Sequence, residues 1–484
     1  MSALQQFRPS ATNPWDSTLA AHLLSRATFG AIPEDVDQAV AWGMERTVDY
    51  LVNFEGAEDP EPAPDTPAPP DKAERTFAGL SPEEVRFRRQ ENQQANHAAI
   101  DDIRVWWIRR MIRSQRPLQE KMTLFWHGHF ATSTDEVKSA RHMLMQNQFL
   151  RSQCLGNFRD LLAGISRDPA MLRYLDNNTN RKQHPNENYA RELMELFTLG
   201  IGHYTEDDVK EAARAFTGWT FRGDEFVFNE HDHDKGVKTF LFETGAFDGT
   251  DVLDIILAQP CTARFIAAKL LRYFVCDKPD EDAVEQYAAL LRGYHYDFKP
   301  FLRTLFCSAY FYSPAVYRTQ IKSPAQLIVG AARSLGVTVN EQALAVAMRG
   351  LGQDLLAPPN VKGWDGGETW INTSTMFVRY NLSAYLLEGQ APFDVSGPHA
   401  KRPRRTFPLS HFGTPTNDLA QLYTKDLAAD AAALTDSLIG RLLMTRLDAQ
   451  ARQWLIDQAE ITPVSERATR VSHFIMSMPD YQSC

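Results

Sequence analysis

Apolar residues recur three and four positions apart along most of the chain, and clusters of Pro, Gly and Asp interrupt these runs. That spacing gathers apolar side chains on one helical face, so the pattern predicts a succession of amphipathic helices. Leu19, Leu23 and Leu24 predict a helix over 16–28, and Val36, Val40, Met44, Val48 and Leu51 predict one over 33–53. From Ser81 a capping-box start leads into a polar stretch that turns apolar only at Ile100, Ile103, Trp106, Trp107 and Met111, which predicts a long, half-exposed helix. Further helices are expected over 118–130, 137–152, 157–165, 187–199 and 205–216. Others follow over 252–257, 263–274, 283–291, 299–308, 324–335 and 341–348, and two or three close the chain. The period drops to two at Phe226-Val227-Phe228 and Phe240-Leu241-Phe242, which predicts one small β-hairpin near 226–242.

The expected fold is therefore mainly α, one large helical domain over 1–484 with long loops. The acidic, proline-rich stretch 55–75 reads as a solvated loop. The stretch 390–417 reads as an irregular loop, and 351–373 as a loop rich in Gly, Pro and Trp.

Composition narrows the function classes. The chain has 484 residues, 43% of them hydrophobic, enough to bury a sizeable core. A formal net charge of -10 argues against wrapping nucleic acid, and the short basic run Lys401 to Arg405 reads as solvated surface. Five cysteines without CxxC spacing predict neither a disulfide framework nor a thiolate zinc site. An N-terminal stretch without an apolar core predicts no export signal, hence a cytoplasmic location, with export only alongside a signal-bearing partner. No run long enough to span a membrane is present in the sequence. Gly-rich phosphate loops, GxSxG and HExxH are absent, so no nucleotide cofactor is expected.

Several clusters carry candidate chemistry. Asp176, Asn178, Asn180 and Glu187 fall at positions 1, 3, 5 and 12 of a calcium-loop template, although Arg181 stands where that template has Gly. The same residues also suit an Asx-turn and helix-start reading. His127 and His129 flank Gly128, and His231 and His233 stand two apart in the hairpin region. With a carboxylate, the four imidazoles could hold a divalent transition metal such as zinc or manganese. Each pair could equally be a polar turn or helix cap. Asn188, Arg191, Glu192 and Glu195 form one polar helical stripe, either a solvated face or, if buried, a catalytic set with Glu192 as base, Arg191 and Glu195 beside it. Lys362, Trp364, Asp365 and Trp370 lie on the glycine-bearing loop and could bind a sugar-like substrate, or the Trp residues could pin that loop to the helical body.

The segments HLLSRATFG, LFWHGHFATS, PNENYARELMELFTLGIGHYTEDDVKEAARAFTGW, HDHDKGVKTFL, FIAAKLLRYFV and LGQDLLAPPNVKGWDGGETW resemble the bacterial family catalogued as domain of unknown function 1800. The resemblance runs from about His22 to the C-terminal helices. It implies no assigned activity. It does imply gene neighbours in a sulfatase-like family, catalogued as domain of unknown function 1501. The expectation drawn from clusters and resemblance together is a metal-binding hydrolase acting on a polar envelope or extracellular polymer, such as a polysaccharide or a sulfated or phosphorylated derivative. The alternative expectation is a non-catalytic partner that binds or escorts the sulfatase-like protein.

Overall fold

The computed structural model describes residues 2–58, 61–68, 79–389, 415–416, 423–445 and 447–484. Most of the expected irregular loop 390–417 and part of the acidic loop 55–75 lie outside them. The architecture is mainly α. Helices α1 (Ser17–Ala27), α2 (Pro33–Trp42) and α3 (Met44–Val52) open the chain. The single helix expected over 33–53 is thus two. Gly43, at φ +80°, ends one and starts the next, because only a residue without Cβ turns there at little cost.

Helix α4 (Pro82–Arg113) carries the predicted capping box, with Ser81 and Glu84 satisfying each other's backbone N–H groups. Its first half is exposed, and its second half buries Ile103, Trp106, Trp107 and Met111. Helices α5 (Pro117–His129), α6 (Ala140–Ser152), α7 (Phe158–Ser166) and α8 (Pro169–Tyr174) follow. The element expected over 187–199 starts as α9 (Asn188–Glu192) and widens into a π-helical turn over Leu193–Thr198 before α10 (Glu206–Ala215).

The β region holds two hairpins where one was expected. β1 (Trp219–Arg222) pairs with β2 (Glu225–Phe228), and β3 (Lys238–Phe240) with β4 (Glu243–Gly245), both antiparallel. Each apolar run pairs with its nearest neighbour in sequence instead of with the other run. Gly223 and Asp224 supply the first tight turn, and Leu241 and Phe242 the second.

The helices α11 (Gly249–Ala258), α12 (Pro260–Phe274), α13 (Glu281–Gly293), α14 (Phe298–Phe306), α15 (Pro324–Leu335) and α16 (Glu341–Gly350) match the expected segments. Helix α17 (Thr373–Glu388), which begins at the predicted loop's end, went unanticipated because its apolar residues are spread round the cylinder. Three more, α18 (Ala431–Leu442), α19 (Ala449–Glu460) and α20 (Val464–Ser477), close the chain.

Buried apolar side chains form two clusters. One joins α1–α3 to α7–α14, and the other joins the inner half of α4 to α15–α20. Between them lies an ionic knot. Glu120 on α5 is fully buried and accepts from Arg110 Nε at 2.8 Å, Arg151 Nε at 2.9 Å and Trp107 Nε1 at 3.0 Å. Trp106 lies against both guanidinium groups, with Cζ of Arg110 at 5.3 Å and of Arg151 at 4.8 Å from its ring centroid. One carboxylate thereby serves three helices. Among the described residues no helix is long and apolar enough to cross a membrane.

Candidate anion-binding site

The two histidine pairs are not brought together. His127 Nε2 accepts the backbone N–H of Leu356 at 3.1 Å, and burial pushes its pKa down to about 4. His129 Nε2 lies 3.0 Å from the Phe197 carbonyl, to which it donates, leaving Nδ1 to accept from Lys269 Nζ at 3.1 Å. Leu196 and Phe197 stand in the last turn of the π-helical segment, where carbonyls have no partner within the helix, and Lys269 and His129 take them. His129 therefore has no lone pair left for a cation. His233 donates through Nδ1 to the Thr217 carbonyl at 2.9 Å, and His231 is exposed. The four imidazoles thus do not converge on one point, and among the described residues no group of three or more His, Cys, Asp or Glu is placed to hold a metal ion.

The segment matched to the calcium-loop template is held by hydrogen bonds within the fold. Asp176 adopts a left-handed backbone and leads a 3-10 turn over Asn177–Thr179. Buried Asn180 donates to Asn177 Oδ1 at 3.1 Å and to the Ala213 carbonyl at 2.9 Å, while its Oδ1 accepts the Asn186 N–H at 2.9 Å. The Asn178 carbonyl accepts from Thr220, and the Glu187 carboxylate pairs with Arg191 at 3.1 Å. The side-chain oxygens of Asn180 and Glu187 are thus engaged within the chain.

The polar stripe faces outward. Arg191 bridges Glu187 and Glu206, and these carboxylates hold its pKa above the usual value. Glu195 accepts from the Tyr204 hydroxyl at 2.9 Å. Glu192 is half-buried, and burial, then the charge of Glu195, raises its pKa. Asn188 is exposed. On the glycine-bearing loop, Trp370 is buried and Trp364 packs against His127 with ring centroids 5.7 Å apart, while Lys362 pairs with Asp365. Gly363, at φ +84°, sits so close to Gly128 that an added Cβ would collide with the Gly128 carbonyl. Trp364 therefore packs the loop against the end of α5, while Trp370 is buried near Gly352.

The most distinctive site was not singled out from the sequence. It is a cavity walled by His22, Phe29, Arg318, Lys322, Tyr481 and Cys484, together with small residues of α1 and α15. The helices approach closely because Gly330 leaves room for the Phe29 carbonyl, 2.7 Å from where a Cβ would sit. Arg26 is fully buried on α1, on the helix that supplies His22 and Ser25. Its Nη2 donates to the Val316 carbonyl at 2.9 Å, whereas Nε and Nη1 are buried without a hydrogen-bond partner. Lys121, 1% exposed, holds its ammonium 5.4 Å from the Phe29 ring centroid and 5.3 Å from that of Tyr273. Lys322 Nζ lies 4.0 Å from the Tyr481 ring centroid.

Electrostatics set this cavity apart. Arg318 and Arg379 donate to backbone carbonyls and to Gln482, not to carboxylates. Among the described residues no Asp or Glu lies within ion-pair distance of Arg26, Lys121, Arg318 or Lys322. Burial pushes Lys121 down to about 7 and Lys322 to about 8, and in both the influence of Cys484 opposes it. His22 is pushed down to about 3 by burial and the Arg26 charge, so it is a neutral ring. Arg318 and Lys322 line this space, Lys121 lies against its Phe29 wall and Arg26 acts on His22, while the negative charge at Cys484 favours the charged forms of Arg26, Lys121 and Lys322 against their burial. The one signal in the sequence was HLLSRATFG, whose His22, Arg26 and Phe29 lie three and four apart.

Fold and site together define a mainly α protein with a cavity whose wall carries Arg318 and Lys322. The family described as Protein of unknown function (DUF1800) matches residues 22–483, nearly the whole chain, and the protein belongs to it. No curated protein and no solved structure matches the chain.

Proposed function

We propose that this protein binds an anionic ligand and seats the ligand's charged group in the cavity beneath Lys322 and Phe29. The observation that carries the proposal is Arg26: a guanidinium fully buried on the helix that lines the cavity, with Nε and Nη1 unpartnered, the charges of Cys484 and Asp277 acting on it without a hydrogen bond to either nitrogen. A buried unpaired charge costs several kcal/mol, so a fold retains one where a bound counter-charge compensates it. A metal-dependent hydrolase would need ligands with free lone pairs, and His127 and His129 spend theirs within the fold. The reading is therefore of a binding protein for a polar, negatively charged molecule.

Isothermal titration of the whole chain with sulfate, inorganic phosphate and acetate is the direct test. Saturable binding is expected, weakened about tenfold or more in Arg26→Met, since a hydrogen-bonded buried charge contributes roughly 1.5–3 kcal/mol. Absence of binding by all three anions to the folded wild-type protein overturns the proposal.

A further inference from the structure

The turn between β3 and β4 consists of Leu241 and Phe242, closed by the pairing of Phe240 with Glu243. Both residues stand at positive φ, +45° and +69°. A two-residue hairpin turn of that hand is ordinarily built from Asn, Asp and Gly, because a bulky side chain there crowds its own backbone. Packing accounts for Leu241. It is buried in the apolar cluster that joins α1–α3 to α7–α14, and its N–H donates to Asp208 Oδ1 at 2.8 Å. Phe242 has no such reason: its side chain is fully exposed, so no burial offsets its strained backbone. A second apolar side chain is presented at the same end of α10. The turn that leads into the helix cap Thr205 carries Ile201, 79% exposed, between Gly200 and Gly202, both at positive φ. Because Leu241 is tied to Asp208 in the first turn of α10, the hairpin tip and this turn flank the same helix start. The charge around them is negative. Arg191 is shared by Glu187 and Glu206, and Lys210 pairs with Asp207, while Asp208 and the exposed Glu243 pair with no Lys or Arg among the described residues.

We infer that the β3–β4 tip is a docking element for another protein, with Phe242 as the anchor that enters an apolar pocket rimmed by Lys or Arg side chains, and Ile201 packing beside it. Charge selects this occupant. An acidic rim is repelled by the anionic lipids that hold peripheral proteins on a membrane, and two apolar side chains alone bury too little to anchor in a bilayer. A second copy of the chain would set like charge against like, on a molecule whose formal net charge is -10. A basic rim adds attraction at encounter, and burial of the phenyl ring supplies affinity. The strained turn has a use in this setting. It holds Phe242 outward before the partner arrives, so less conformational freedom is lost on binding.

Two measurements on the full chain test this. The first needs no partner: Phe242→Gly relieves the backbone and removes the ring together, so its Tm should rise by about 1–2 °C. An unchanged or lower Tm means that the ring serves the fold, and overturns the inference. The second is photolysis of Phe242→p-benzoylphenylalanine in the native cells, followed by purification of the protein it captures. That protein should bind the wild-type chain about tenfold or more tightly than it binds Phe242→Gly. Its affinity for the wild-type chain should also fall about tenfold between roughly 0.05 M and 0.5 M salt, and Ile201→Ser should give a smaller loss than Phe242→Gly. Capture of no protein, or of one whose affinity responds neither to Phe242→Gly nor to salt, overturns the inference. So does wild-type binding to phosphatidylcholine or phosphatidylglycerol vesicles that Phe242→Gly abolishes, which would make the tip a membrane contact. Self-association of the purified chain in sedimentation that Phe242→Gly abolishes overturns it as well, since the occupant would then be a second copy.

Discussion

Lys121 carries its ammonium into a space walled by Phe29 and Tyr273, with Arg26 adding like charge. Folding therefore favours its neutral form. Because the folded-state pKa, about 7, lies below the ordinary value of 10.5, the unfolded chain binds the extra proton between those pH values, and this contribution to stability rises with pH there. Lys121→Met keeps the length and removes the charge. In ligand-free protein the variant should be more stable than wild type at pH 6 to 7, by on the order of 1–3 kcal/mol, with the gap narrowing as pH rises toward 10. Urea unfolding at several pH values measures it. A variant less stable than wild type at pH 6 would mean that Lys121 has a counter-charge in the folded protein.

Elements meet where glycine lets backbones touch. The loop after α16 docks on α5 because Gly363 presents no Cβ to the Gly128 carbonyl and holds φ +84°, a conformation that strains any other residue. Docking places Leu356 N–H on His127 and Trp364 beside it. Gly363→Ala should destabilise the protein by about 2 kcal/mol or more, with a shift in tryptophan emission as Trp364 loses its seat. A neutral outcome in both readouts would show that the loop is not held at this contact. The sequence marked this loop as Gly- and Trp-rich but left its role open between substrate contact and anchoring, since only proximity to α5 separates the two. The period of three and four likewise located most helices. It did not reveal the π-helical turn, because the apolar spacing of Leu193, Met194 and Phe197 is the same for an α-helix and for one widened by a single residue.

At the scale of the molecule, the two apolar clusters are joined through the ionic knot at Glu120. Two guanidinium groups share one carboxylate, so Glu120→Gln leaves Arg110 and Arg151 unneutralised in a buried place. A loss of roughly 3–5 kcal/mol is expected, together with a broader unfolding transition as the two clusters cease to melt as one. Calorimetric and van't Hoff enthalpies compared for the variant would report it, and an unchanged sharp transition would argue that apolar contacts alone hold the clusters together. The sequence by itself determined the helical class, most helix positions and the family, because these follow from local periodicity and from long motifs in order. Only the tertiary structure decided the site. A histidine's chemistry depends on what its nitrogens meet, and a lysine's on which charges surround it. His127, His129, Arg26 and Lys121 take both from chain segments far away in sequence, which no local pattern can contain.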